Sequence, residues 1–242
     1  MSFDRLEQTL GTELDELGKA GTLKGEEDIV VGVIPAQGDH GPRFRLDGEG
    51  DRSFLRMNSN SYLGLQLRSD LLETEEEAAR KYGSGPGAVR FISGTYQPHV
   101  ELERRLAQFH GREAGMIFSS AYATTLGALV PLITDDTIVI SDELNHNCII
   151  NAMRLARPKG KMIYRHSDVG ELETRLYEAS GACRRVIVVT DGIFSMRGDW
   201  APLAEIRALV DRVDEHFPEN AILMVDDSHG VGAFGETGRG TE

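Results

Sequence analysis

The sequence predicts an α/β protein built on a doubly wound, mostly parallel sheet. From Asn58 onward, short apolar runs alternate with stretches of helical periodicity, the order of βα units. Runs such as RVIVVT (185–190) and AILMVDD (221–227) are continuously apolar rather than alternating, as expected of strands covered by helices on both faces. Small and polar residues cluster directly after those runs, where sheets of this kind bind ligands.

Taken in order, residues 4–20 carry Leu6, Leu10, Leu14 and Leu17 at helical spacing and stop at Gly21. Residues 43–57 read as a β-hairpin, with Asp47-Gly48 as the turn signal between two short runs. Residues 1–57 are therefore expected to form an N-terminal arm, and 58–242 one larger domain. In that domain the periodicity predicts helices at 70–82, 99–111, 122–133, 145–156, 168–180 and 202–216. Strands are expected at Met116–Phe118, Thr137–Ile140, Met162–Tyr164, Val186–Thr190 and Ile222–Val225.

Composition narrows the function. No run approaches the roughly 20 apolar residues that span a bilayer. The acidic, amphipathic N-terminus resembles neither a secretory signal nor an Arg-rich transit peptide, so a cytoplasmic protein away from membranes is expected. Cys148 and Cys183 make no disulfide framework and have no metal-ligand spacing. A formal net charge of −13 argues against nucleic acid, whose binding rests on lysine and arginine. It leaves room for a small anion, which backbone N–H groups can hold within an acidic protein.

The segments after the strands carry the chemistry. SSAYATT follows Met116–Phe118 and opens a helix near Tyr122, which leaves backbone N–H groups free at its positive end and makes an anion site. A plain N-cap by Ser119 or Ser120 fits the same residues. SDELNHNCII places His146 at the next helix start, where a packed or surface histidine is the ordinary alternative. DGIFSMRGDWAPL places Ser195 on a loop, which could equally be a turn with Asp199 capping a helix. DDSHGVGAFGETGRG ends a buried strand in Asp226, Asp227 and His229. A carboxylate there needs a cation or several donors: a metal, a protonated ring nitrogen or an arginine. Residues 230–235 match G-x-G-x-x-G, but Asp-Ser-His separates them from the strand and no helix follows, against a dinucleotide fingerprint.

Together these segments resemble the α-oxoamine synthases, fold-type I pyridoxal-phosphate enzymes. The resemblance runs from about Asn58 to the last residue, through NSNSYLGL, GSGPGAVRFISGT, HVELERRLAQFHG, SSAY, LNHNCII, TDGIFSMRGDWAPL and VDDSHGVGAFGETGRG, in family order. VRFISGT and the DDSH pair look nearest to glycine C-acetyltransferase. The 8-amino-7-oxononanoate, 5-aminolevulinate and serine palmitoyl-transferring enzymes share the rest.

The resemblance implies pyridoxal 5'-phosphate as cofactor and the large domain of a fold-type I transferase, incomplete at its C-terminus. It implies that Asp226 keeps the pyridine nitrogen protonated, that His229 and Ser195 reach the ring's phenolic oxygen, and that His146 stacks on the ring. The amides of Ala121 and Tyr122, after Ser120, would hold the phosphate, and Asn60 the substrate carboxylate. Asp227 receives no role. The implied reaction joins an amino acid, foremost glycine, to an acyl-CoA, foremost acetyl-CoA, in a homodimer with its site at the interface. None of Lys19, Lys24, Lys81, Lys159 and Lys161 sits in the family's Schiff-base context, so a longer enzyme is expected, with this stretch inactive alone. Other readings are a fold-type I aminotransferase, a lysine-less partner subunit, and a metal-dependent hydrolase using Asp226, Asp227 and His229.

Overall fold

The computed structural model describes residues 2–242, which divide into two compact units, one ending at Ser59 and one beginning at Asn60. The first begins with helix α1 (Asp4–Lys19), with Asp4 and Glu7 in its first turn and Lys19 in its last, each complementing the helix dipole. Its leucine stripe (Leu6, Leu10, Leu14 and Leu17) is exposed, and α1 buries no residue. Strand β1 (Val30–Ile34) then pairs antiparallel with β2 (Arg43–Leu46).

That pairing corrects the expected 43–57 hairpin. Beyond the Asp47-Gly48 turn only one bridge remains, Phe44 to Phe54, and the main partner of β2 is β1. The polar segment Asp47–Ser53 is long and charged, while β1 offers the apolar run VVGVI. A one-bridge hairpin has little stability of its own.

The second unit opens with helices α2 (Ser69–Tyr82) and α3 (Gln97–Phe109), separated by a single wide helical turn over Arg90–Gly94. A Cβ on Gly94 would lie 2.0 Å from the Ala88 carbonyl oxygen, so that turn admits only glycine. Arg90 clasps Glu103 of α3 (Nη2 to Oε2 3.0 Å). The other Glu103 oxygen accepts from Ile117 N at 3.0 Å. This explains a second correction: Met116–Phe118 is not a strand, because the Ile117 amide goes to a side chain and no sheet neighbour pairs with the segment among the described residues.

Then follow α4 (Ala121–Leu132), β3 (Thr137–Asp142), α5 (Asn147–Ala156), β4 (Gly160–Tyr164), α6 (Val169–Ala179), β5 (Arg185–Asp191), the short β6 (Ile193–Phe194) and β7 (Asp199–Trp200), α7 (Leu203–Val213) and β8 (Ala221–Asp226). The helix expected over 145–156 starts two residues later, which makes His146 its N-cap. A 3-10 turn over Asp214–His216 continues α7. Strands β4, β3, β5 and β8 lie side by side in that order, all parallel.

Side chains alternate between the faces of this sheet. Ile138, Ile140, Val186 and Val188 pack with Leu172 and Leu176 of α6 and Ile206 and Leu209 of α7. Val139, Ile187 and Val189 pack with Leu129 of α4 and Ile149 and Met153 of α5. Helices cover both faces, as the continuous apolar runs require, and the sheet is doubly wound. All four strands end on the same side, and the polar segments that follow them meet there.

Candidate active site

At the carboxyl ends of the strands lies a cavity of about 300 Å³. Asn60, Ala121, Tyr122, His146, Ser195, Asp226 and His229 all line it, so residues spread over most of the second unit converge on one place. Ser120 does not line it but caps α4, its Oγ accepting from Ala123 N at 3.1 Å. Thr124 N goes to the Ser120 carbonyl. The amides of Ala121 and Tyr122 have no acceptor among the described residues, and both residues line the cavity at the helix N-terminus. The N-cap and the anion site, alternatives in the sequence, are compatible: the serine satisfies one amide and leaves the others free.

Asp226, the last residue of β8, lines the same cavity. Its Oδ1 accepts from Ser228 Oγ (2.6 Å) and Ser228 N (3.2 Å). Its Oδ2 lies 3.3 Å from Thr125 Oγ1 and 3.7 Å from Cys148 Sγ. No arginine or lysine lines the cavity among the described residues. In the β5–β8 ladder Asp226 sits directly beside Asp191. Asp191 is buried; its Oδ2 accepts from His146 N at 3.1 Å and its Oδ1 has no partner among the described residues. Burial, then the neighbouring Asp226 carboxylate, push Asp191 from the usual 3.8 up to about 7. Two carboxylates thus share a pocket without a cation. A ligand bringing a protonated nitrogen to this end and an anion to the α4 end would satisfy both.

His146 lines the cavity as the N-cap of α5. Its Nδ1 accepts from Cys148 N (3.2 Å), which places the ring proton on Nε2. Asn145, buried just before it, sews the strand ends together. Its Nδ2 donates to Ser141 Oγ and Val189 O (both 2.8 Å), and its Oδ1 accepts from Asp191 N (2.9 Å). The cavity wall is completed by Tyr62, whose hydroxyl hydrogen-bonds His229 Nδ1 at 2.7 Å. Ser195 is exposed on the tip between β6 and β7.

Asp227 turns away from the cavity, as strand alternation demands of the residue after Asp226. Its Oδ2 accepts from Thr241 N (2.8 Å), and a Cβ on Gly192, Gly230 or Gly240 would stand 2.3, 2.2 or 1.8 Å from its carboxylate oxygens. Glycines enclose this carboxylate and let the 230–240 loop close over it. Asp226, Asp227 and His229 therefore do not converge as a metal-ligand set. Asp191, Cys148, Tyr62 and Ser228 line the cavity without having been singled out in the sequence. Asp191 could have been found, because it ends a buried strand as Asp226 does.

The aminotransferase class I and II profile matches residues 52–241. The 8-amino-7-oxononanoate synthase of Exiguobacterium sibiricum is 41% identical over 241 residues, covering 100% of this chain and 56% of that protein. The 8-amino-7-oxononanoate synthase 1 of Bacillus subtilis is 42% identical over 187 residues, 77% of this chain and 46% of its own. Among solved structures, the serine palmitoyltransferase of Sphingomonas wittichii superimposes with a TM-score of 0.82 at 28% identity, over 100% of this chain and 56% of that one. The S. paucimobilis enzyme, solved with PLP and myriocin, gives a TM-score of 0.82 at 27% identity, again over 100% and 56%. The chain spans about half the length of the curated relatives it matches. On the strength of the profile match and these likenesses, the chain belongs to the aminotransferase class I and II family and, within it, to the pyridoxal 5'-phosphate-dependent α-oxoamine synthases.

Proposed function

We propose that the protein, in its full-length form, is a pyridoxal 5'-phosphate-dependent α-oxoamine synthase that joins an amino acid to an acyl thioester. The observation that carries this reading is the cation-free carboxylate pair, Asp191 and Asp226, in one cavity with the open amides of α4. The reading of glycine with acetyl-CoA gives way to the 8-amino-7-oxononanoate or serine palmitoyltransferase type, since those are the names the similar proteins bear.

The residues present fit the cofactor. When bound, pyridoxal 5'-phosphate supplies an electron sink for charge developing at the amino acid's Cα. Asp226 would hold a proton on the ring nitrogen, and that positive charge would relieve the neighbouring Asp191. The Ala121 and Tyr122 amides, aided by the α4 dipole, would bind the phosphate. His146 would cover one ring face and keep water from it. His229, oriented by Tyr62, and Ser195 would donate to the phenolic oxygen. Asn60 would orient the substrate carboxylate. None of Lys19, Lys24, Lys81, Lys159 and Lys161 lines the cavity among the described residues. The Schiff-base lysine would then lie in the part of the relatives' length that the chain does not span. A homodimer completing the site is part of the same proposal.

The test uses the full-length protein. Adding pyridoxal 5'-phosphate should produce a visible absorbance band that borohydride removes and that Asp226→Ala prevents. Thiol release should then follow when glycine, alanine or serine is combined with short and long acyl-CoA. A long-chain preference favours the revised substrate class. A protein that gives no absorbance band and releases no thiol with any pair overturns the proposal.

A further inference from the structure

Outside the cavity, the structure holds a carboxylate–imidazole–carboxylate clasp that the proposed mechanism does not use. His166, in the loop after β4, places Nδ1 3.1 Å from Asp142 Oδ1 and Nε2 3.2 Å from Asp199 Oδ2. Asp142 is buried at the end of β3, where Leu144 N (2.9 Å) and Ser167 N (2.8 Å) hold it rigidly. Asp199 belongs to β7, half of the hairpin whose tip carries Ser195. On the other strand of that hairpin, Phe194 meets the His166 ring edge to face, centroids 4.4 Å apart at 85°. We infer that His166 is a positioning residue: clasped between Asp142 and Asp199, it ties the β6–β7 hairpin to the sheet and so holds Ser195 at the cavity.

The hairpin needs such a tie. Its strands are two residues each, far short of what pairs stably in water, and its tip, Ser195 to Gly198, is exposed. Phe194 is its buried anchor, and that anchor rests on the imidazole. Both ring nitrogens face carboxylates, so only the imidazolium can donate to both. A neutral ring would set a lone pair against one of them.

The charges around the ring are mostly negative. Asp142 and Glu143 come from the end of β3, with Glu143 Oε1 accepting from His166 N at 2.9 Å. From the hairpin come Asp199 and Arg197, which bond each other at 3.0 Å. Arg165 next to the ring is occupied by Asp168 and Glu171. Burial alone would lower the affinity of His166 for its proton, but the bonds to Asp142 and Asp199 outweigh it and raise the ring above its usual 6.5. The tie is therefore complete below about pH 6.5 and weakens as pH rises through the raised value.

Trp200 is the one tryptophan of these 242 residues, next to Asp199 on the hairpin with its ring tilted at 43° to that of Phe234, centroids 5.6 Å apart, so in this 242-residue chain its emission reports the hairpin. In the protein without added pyridoxal 5'-phosphate, Trp200 emission should show a transition with a midpoint above pH 6.5. Hydrogen exchange of the amides at 193–198 should quicken about tenfold across it while β3 and β5 stay protected. His166→Gln should abolish the transition and show fast exchange at every pH. Asp199→Asn, which leaves the buried Asp142 contact in place, should move the midpoint down and keeps the question answerable if the first variant does not fold. A transition that persists in His166→Gln, or exchange at 193–198 indifferent to both variants, overturns the inference. The inference rests on the proposed role of Ser195 only for its functional meaning. A hairpin that loosens as described, with Ser195→Ala leaving the cofactor absorbance unchanged, would keep the tie and refute the Ser195 assignment.

Discussion

Replacing Asp191 by asparagine should stabilise the cofactor-free protein at alkaline pH. Asp191 is raised from 3.8 to about 7, so its folded form holds a proton roughly a thousandfold more tightly than the unfolded chain. Stability is therefore greatest below about pH 4 and declines as pH rises through about 7, where the buried carboxyl is half ionised, and it levels off above that. At about 1.4 kcal/mol per tenfold, the full penalty above pH 7 approaches ~4 kcal/mol, and screening by water at the cavity mouth leaves about 2–4 kcal/mol. Asparagine removes that penalty. It keeps the acceptor for His146 N but puts an NH₂ where Asp191 Oδ1 has no partner, at a cost of about 1 kcal/mol. Urea unfolding of both proteins should show the advantage of the variant growing by about 1–3 kcal/mol between pH 5 and pH 8. A difference that stays constant with pH would refute the electrostatic reasoning. Saturating pyridoxal 5'-phosphate should shrink the pH-dependent part, because a protonated ring nitrogen supplies the missing cation.

Three further outcomes follow from the geometry. Ala121→Pro removes one open amide at the first position of α4, where proline is tolerated after the extended Ser120 (φ −163, ψ 161). The fold should survive while affinity for pyridoxal 5'-phosphate, measured by fluorescence titration, falls about tenfold, the worth of one charge-assisted bond. Gly240→Ala combines a φ of +96 with a Cβ 1.8 Å from Asp227 Oδ2, and should cost about 2 kcal/mol or more in thermal unfolding. Asn145→Ala removes the bonds Asn145 makes to Asp191 N, Val189 O and Ser141 Oγ, of which Ser141 Oγ keeps its own bond to the Asp142 carbonyl, and should cost about 2–4 kcal/mol in urea unfolding at pH 7.

The strand–helix alternation was legible because burial on both faces leaves an apolar run, and β3, β5 and β8 each fall on one, while β4 (GKMIY), at the sheet edge, alternates with Lys161 and Ile163 exposed. The cavity residues were legible for a related reason: polar groups directly after buried strands must gather at one sheet edge. Met116–Phe118 misled because an apolar run becomes a strand only with a free edge beside it, and Ile117 N spends its bond on the Glu103 carboxylate instead. The 43–57 hairpin misled in the same way, since a turn signal does not choose between β1 and the chain beyond the turn as partner for β2.

Sequence alone determined that a carboxylate would stand at the end of a buried strand and that α4 would begin with open amides. Both follow from the chemistry of residues close in the chain. Tertiary structure alone decided that Asp191 lies beside Asp226, that Asp227 turns into a cage of glycines, and that His166 reaches Asp199 across 33 residues. Those relations depend on which strands become neighbours and in what register. Packing of whole helices and sheets settles that, and local pattern carries no record of it.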